Sequence, residues 1–275
     1  MRSVLAVAAL LTCSGCVDIV GARIDDYKVV ERENKRFSVS GKPDVTLSTH
    51  DGSIEVRPWD KAEVEVIIEK RGPTKESLEE LIVEASQDGD RVNVSVRQPR
   101  NRGWHIGGSP NAKLIVSLPA SANLNAKSGD GSIDVERISG NVELGSGDGS
   151  IRARDMSGDV NVHTGDGSIA LDGKFAGSLR ARSGDGSVRI HAASGSTAAG
   201  DWDITTGDGS IVLEIPSGFS GDLDAHTGDG RVRLEDVEVS NVNGEIRRNS
   251  LKGRIGSGGH LVRLRTGDGS ITLRR

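Results

Sequence analysis

Beyond residue 16 this sequence has no cysteine. Neither a disulfide framework nor thiol chemistry is available to the bulk of the chain, so its stability has to come from packing and backbone pairing. Aromatic residues are scarce as well, at 3% of the 275 residues. No charge sign dominates: 35 Lys and Arg stand against 40 Asp and Glu, a formal net charge of −5. These shortages argue against a nucleic-acid binder, which shows a basic patch with interleaved aromatics. After the first sixteen residues no apolar run is long enough for a transmembrane helix. The remaining core material is Val, Ile, Leu and Ala, which suits a thin core of small aliphatic layers. Apolar residues alternate through nearly every segment, which excludes disorder.

Glycine is abundant, at 37 residues, and it is not scattered. Gly-Asp-Gly-Ser-Ile stands intact at Gly129–Ile133, Gly147–Ile151, Gly165–Ile169, Gly207–Ile211 and Gly267–Ile271. Conservative variants stand at Gly184–Val188 and Gly228–Val232, with an early echo at His50–Ile54. The first glycine falls at 129, 147, 165, 184, 207, 228 and 267, giving steps of 18, 18, 19, 23, 21 and 39 residues. The long last step reads as two ordinary steps with one degenerate copy skipped. A regular step of this size marks a stacked repeat rather than a one-site globular enzyme.

Each unit has one grammar. Two apolar residues with spacers and a Ser or Thr lead into Gly-Asp-Gly-Ser, and Ile or Val, a spacer and another apolar residue follow. Alternation puts the apolar residues on one face and the spacers on the other. Asp-Gly between alternating strands is also a hairpin signal, so an antiparallel meander competes with a solenoid. The outward spacers favour the solenoid. The second spacers read Glu136, Arg154, Asp172, His191, Glu214 and Arg233; the first read Asp134, Arg152, Ala170, Arg189, Val212 and Arg231. Opposite charges attract on adjacent rungs about 4.8 Å apart, whereas a meander would set a whole strand between them. The fold class expected is mainly β: a single-stranded β-helix or β-solenoid of roughly 18–23-residue rungs, preceded by a smaller mixed part with one helix.

Residues 1–16 read as a leader. Arg2 supplies a positive charge and Val4–Leu11 a short apolar run, too short to span a bilayer. The Leu11-Thr12-Cys13-Ser14-Gly15-Cys16 segment resembles the lipobox of bacterial lipoproteins, with Cys16 the residue that would be acylated; an ordinary secretory signal with two incidental cysteines is the alternative. Residues 17–43 read as a tether and first strand, and 44–119 as a β-rich part. Its strands centre on Val45–Thr49, Ile54–Val56, Val64–Ile68, Val92–Val96 and Leu114–Leu118, with one helix over about residues 74–86 capped by Thr74. Residues 120–275 form the repeat solenoid.

The ordered series of turns between Gly129 and Ile271 resembles a bacterial putative-adhesin family of unknown function, DUF4097. Asp51–Val56 followed by Trp59-Asp60 matches the family's entry motif, and Gly253–Gly259 before Gly267-Asp268-Gly269 resembles its closing rung. The resemblance covers about residues 40–275. It implies a surface or envelope protein with a β-solenoid, and no reaction.

Few residues recommend themselves for chemistry. Stacked turns would set Asp130, Asp148, Asp166, Asp185, Asp208 and Asp229 in a row, a candidate calcium site. Calcium-binding β-rolls, however, supply several oxygens per site, and the simpler reading is that Gly and Asp tolerate a positive φ in the turn. Paired carboxylates for glycan hydrolysis are absent, since acids occur once per turn or alternate with bases. His163 and His226 sit on equivalent outward spacers about three rungs apart, too far to share a metal. Trp104, in a Gly-rich loop over Arg100–Asn111, is the one tryptophan expected to be exposed. No cofactor motif is present. Arg247, Arg248, Lys252, Arg254, Arg263 and Arg265 could contact an anionic surface or form a solvated cap on the last rung. The sequence therefore points to a non-enzymatic protein of the bacterial envelope, lipid-anchored to a membrane, with a glycan or another envelope protein as partner and no nucleic acid. A structural, assembly or stress-sensing role is the alternative, and a glycan-active enzyme the least favoured.

Overall fold

The computed structural model describes residues 29–99, 109–240 and 247–275. The leader with Cys16 and the segment carrying Trp104 lie outside them. The chain begins with β1 (Val29–Ser38), β2 (Asp44–Thr49), β3 (Ile54–Trp59) and β4 (Glu63–Gly72), passes through a short helix α1 (Lys75–Glu79), and continues as β5 (Ile82–Asp88), β6 (Arg91–Arg97) and β7 (Asn111–Pro119). Strands then alternate between two sheets. They are β8 (Asn123–Ser128) and β9 (Ile133–Glu136), β10 (Val142–Ser146) and β11 (Ile151–Ser157), β12 (Val160–Thr164) and β13 (Ile169–Lys174), and β14 (Leu179–Ser183) and β15 (Val188–Ala192). After β16 (Trp202–Thr206) and β17 (Ile211–Glu214) come β18 (Gly221–Thr227), β19 (Val232–Glu235), β20 (Val239–Ser240), β21 (Ser250–Ile255), β22 (Leu261–Thr266) and β23 (Ile271–Arg274).

The solenoid, not the meander, is the fold. Every repeat contributes one strand to each sheet, and equivalent strands of neighbouring repeats run parallel and in register: Val142 of β10 lies level with Leu124 of β8 and Val160 of β12. The β2–β3 pair forms a rung of the same kind, with β2 against β8 and β3 against β9. Antiparallel strands cover one end, β4 and β1 beyond β7 in the first sheet and β5 beyond β6 in the second. One continuous core lies between the sheets, from Phe37 to Leu273. It is built from the alternating Val, Ile, Leu and Ala positions, which remove apolar surface from water layer by layer. Trp202 is the largest fully buried side chain. It packs edge-on to Phe175 at 6.2 Å and against Phe219 at 5.0 Å, and its Nε1 donates to the Gly177 carbonyl at 3.1 Å.

The rungs do not stack in sequence order. β22 and β23 lie between the β16–β17 rung and the β18–β19 rung. Among the described residues the 39-residue step therefore shows no degenerate copy. It includes β20 and β21, which returns antiparallel along β18 and leads the chain back into the gap. The outward charges give a physical reason. Arg233 falls level with Thr272, in the first-spacer row, and Glu235 holds the second-spacer position attributed above to Arg233. Stacked directly, Glu214 and Glu235 would set like charges side by side. The inserted strand puts Arg274 level with both, and it donates to Glu214 at 2.9 Å. In spatial order the row reads Arg57, Glu136, Arg154, Asp172, His191, Glu214, Arg274 and Glu235. His191 Nδ1 lies 2.5 Å from Asp172 and its Nε2 3.5 Å from Glu214.

The helix over residues 74–86 needs correction. Thr74 caps it as its sequence predicts, accepting from the Ser77 amide at 3.2 Å, and Leu78 is buried. The helix ends at Glu79, however, and Ile82–Asp88 is the strand β5. The edge of β6 offers unpaired backbone groups to this segment, and β-branched Ile82 and Val83 suit a strand. Tertiary pairing overrides the helical spacing of Leu78, Leu81, Ile82 and Ala85.

The end strands β1 and β4 hold an acidic residue deep in the structure. Glu69 has 3% side-chain exposure and sits between Arg32, at 2.6 Å, and Arg71. Burial works to raise the Glu69 carboxyl, but hydrogen bonds from both arginines and their charges outweigh it and hold it below the ordinary glutamate value of 4.5. Glu33, Glu65 and Asp224 are lowered likewise by cationic or amide neighbours. A carboxyl lowered by folding contributes stability that is complete above its unfolded pKa, near 4, and is lost as pH falls through its folded value. Thermal melts are expected to hold steady from neutral pH down to about pH 5 and to drop below about pH 4. Glu69→Gln should flatten that acid limb, and an unchanged limb would remove Glu69 as its source.

Candidate functional site

The repeat's own corner is structural in every atom the stack engages. The Ser or Thr before each turn is buried: Thr49, Ser128, Ser146, Thr164, Ser183, Thr206, Thr227 and Thr266. Except at Thr49, whose hydroxyl donates to the Ala112 carbonyl, it donates to the carbonyl of the second turn glycine of the adjacent rung, as Thr164 does to Gly149 at 2.9 Å and Thr206 to Gly186 at 2.7 Å. Several of these hydroxyls also accept from their own turn, as Ser146 does from the Gly149 amide at 3.0 Å. This ladder was open to sequence reading as the invariant Ser or Thr at an inward position. Removing a partner from a buried hydrogen bond costs about 1–3 kcal/mol. Thr164→Val, which keeps the shape, is expected to lower unfolding free energy in urea by about 1–2 kcal/mol; no change would mean the hydroxyl is dispensable.

The turn glycines do not owe their place to a positive φ, as the sequence reading held. The positive-φ conformations lie elsewhere, among them Arg137, Asp155, Asp236 and the second-corner glycine Gly158. The turn glycines are needed because the rungs touch. A Cβ on Gly149 would fall 2.3 Å from the Gly131 carbonyl oxygen, and one on Gly167 2.2 Å from that of Gly149. The first turn glycines bond directly, the Gly165 amide reaching the Gly147 carbonyl at 2.6 Å. The Asp between them is left over. Asp130, Asp148, Asp166, Asp185, Asp208 and Asp229 are all exposed. Among the described residues no group of three or more His, Cys, Asp or Glu converges as a metal site would require.

The opposite corner has its own device, which sequence reading missed. An Asp or Asn at the entry to a second-sheet strand accepts the backbone amide of a neighbouring rung. Asn123 accepts from Asn141 at 3.1 Å, Asp159 from Ser178 at 2.7 Å and Asp201 from Leu261 at 3.1 Å. The signal was a Gly-Asp pair before the strand, at Gly158-Asp159 and Gly200-Asp201, whereas Asn123 follows Ala122 and carries no such mark.

Beside that corner, on the outer face of the second sheet, runs a shallow groove of about 360 Å³ crossing β2, β8, β10, β12 and β14. Asn123, Asn125, Asn141 and Asn161 line it, together with the acids Asp44, Glu143, Asp159 and Asp201 and a single base, Arg180. Some of these groups are committed to the fold: Asn123 Nδ2 donates to Asp44 at 2.7 Å, and Asp159 caps Ser178. Others are not. Asn125 donates to Glu143 at 3.3 Å, but its Oδ1 is buried with no partner.

The other residues singled out by sequence are dispersed. His163 lies over Gly145, whose missing side chain leaves room for the ring, and His226 stands exposed on β18. β14, β16 and the inserted β22 separate their strands, one rung more than sequence order suggests. Asp222 and Asp224 enter among the basic residues. Arg265 bonds Asp224 at 2.6 Å, Lys252 reaches the same carboxylate at 3.5 Å, and Arg254 meets Asp222 at 3.5 Å. Arg263 points outward from β22, while Arg247 and Arg248 lie at the approach to β21. Among the described residues no helix is long and apolar enough to cross a membrane.

Parallel rungs in two facing sheets, glycine corners in contact and a polar outer face define a two-sheet β-solenoid, with no closed barrel. Within that class the chain belongs to the Toastrack DUF4097 family, whose model matches residues 43–274, as the repeat resemblance implied. Solved structures with a similar fold include a putative cell adhesion protein from Clostridium sporogenes, at 13% identity over 89% of this chain and 99% of that one, TM-score 0.40. A putative adhesin from Bacteroides fragilis aligns at 13% identity over 88% and 97%, TM-score 0.46. A putative lipid binding protein from Parabacteroides distasonis aligns at 15% identity over 88% and 96%, TM-score 0.35. No curated protein matches the sequence.

Proposed function

We propose that this protein is a non-enzymatic binding module of the bacterial envelope, tethered by lipid at Cys16, that presents the outer face of its second sheet to an extended partner. The groove along five successive strands carries this reading. A ligand pocket for a small molecule is enclosed, whereas this one is open and elongated and repeats similar polar groups from rung to rung. The reading of the chain as non-catalytic rests on how the acids and bases are used. Many of them pair with an opposite charge on a neighbouring rung, as Arg154 does with Glu136 and His191 with Asp172.

Two assays on the full chain test the reading. In the first, cells are fractionated with and without Cys16→Ser, and the wild type is expected in the membrane fraction and the variant in the soluble one. In the second, the purified protein is mixed with envelope preparations and with soluble envelope polymers. Saturable retention without any change in polymer size is the expected result. Depolymerisation would replace the binding role with an enzymatic one, and retention no better than that of an inert control protein would end it.

A further inference from the structure

The chemistry of the groove narrows the partner, on the reading that this face is the binding surface. Its acids, Asp44, Glu143, Asp159 and Asp201, outnumber its one base, Arg180, so a polyanion is disfavoured. No large apolar side chain is exposed in it either: among the described residues the exposed large hydrophobics are Ile82 and Leu234, neither of which lines it. Strands β8, β10 and β12 are paired on both sides, so a peptide cannot dock there by adding a strand. What the groove does offer is side-chain amides, each able to donate and accept at once. The Asn125 carbonyl oxygen is buried and lacks a donor. Asn161 lies level with Asn125 across the intervening Glu143, and its side chain makes no hydrogen bond among the described residues.

From this we infer that the groove takes a neutral polysaccharide strand lying along the stack. Sugar hydroxyls donate and accept as the amides do, and a donor hydroxyl would satisfy Asn125 Oδ1. The rungs repeat every 4.8 Å or so, about the length of one sugar residue in an extended chain, so successive residues meet the Asn125 amide, the Glu143 carboxylate and the Asn161 amide in turn. With no aromatic ring in the groove to stack on a sugar, each residue binds weakly and affinity grows with the number of rungs engaged.

The test is affinity electrophoresis and titration calorimetry of the full chain with soluble dextran, mannan and xylan, with disaccharides of each, and with heparin as the polyanion. At least one neutral polysaccharide is expected to bind, its disaccharide not, and high salt should leave the affinity unchanged. Asn125→Ala combined with Asn161→Ala should weaken binding about tenfold or more. Asn141→Ala, on an exposed groove residue, provides a second variant should the double one unfold, and it should weaken binding in the same direction. Binding to heparin alone, to none of the polysaccharides, or equally by variants and wild type would overturn the inference. Retention on envelope preparations without polysaccharide binding would overturn it while leaving the binding role intact. Failure in both assays would remove both.

Discussion

Deletion of residues 260–275 is expected to unfold everything beyond β17 while leaving the earlier rungs folded. β22 and β23 bond to four strands at once, β16 and β18 in one sheet and β17 and β19 in the other. They bury Val262, Leu264, Ile271 and Leu273 almost completely. At 1.5–3 kcal/mol for each buried side chain, roughly 6 kcal/mol or more of apolar burial goes with them. Without them β18, β19 and β21 have no rung to stand on. The loss stays local because each rung of a solenoid touches only its neighbours. Hydrogen exchange should show protection vanish over β18–β21 and persist over β8–β15. The bared edges of β16 and β17 should also make the truncated chain prone to aggregate. Full protection of β18 after the deletion would mean that the inserted rung is not its support.

The second large effect separates the two halves of the repeat motif. Gly167→Ala drives a methyl group into the Gly149 backbone, with no side chain in the way that could yield. The rungs must part at that corner, weakening the Thr164 bond to the Gly149 carbonyl, which now measures 2.9 Å. A destabilisation of about 3 kcal/mol is expected in urea unfolding. Asp166→Ala, one residue away, removes an exposed carboxylate and should shift stability by no more than about 0.5 kcal/mol. Equal effects at the two positions would show that the aspartates hold the turn, or a cation, after all.

The contrast marks what sequence can reveal. Alternation and step length were enough to place the core strands, because a period of two on a two-sheet scaffold leaves little choice of face. The inward register of Trp202 and the charge rows as far as Val212 and Glu214 followed from the same count, which slipped at Arg231 and Arg233, where Arg233 and Glu235 hold the two positions. Four things were not legible. The order of the rungs depends on which strand edges meet after the chain turns back at β21, a long-range outcome with no local signal beyond the like charges of Glu214 and Glu235. The reason for the turn glycines also escaped, since a glycine required by a close approach and one required by a positive φ look alike in sequence. The groove was least legible of all. Its asparagines come from separate repeats, and only stacking shows that the Asn125 carbonyl is left without a partner while Asn123 and Asp159 are spent on the second corner. β5 was misread because the edge of β6 decides its state.

The groove, the charge rows and the inserted rung all rest on the same stacking order, and a cross-linking measurement reads that order directly. In the chain with Cys13 and Cys16 changed to Ser, cysteine pairs would be placed at Val212 with Thr272 and at Val212 with Arg233. Val212 and Thr272 face outward on adjacent strands, whereas Val212 and Arg233 have β23 between them. Two strand spacings come to about 9.6 Å, beyond the roughly 7 Å that a disulfide spans. Mild oxidation should link the first pair rapidly and leave the second as free thiols. Linkage of the second pair and not the first would mean that the rungs stack in sequence order and that the last strand is not inserted between them.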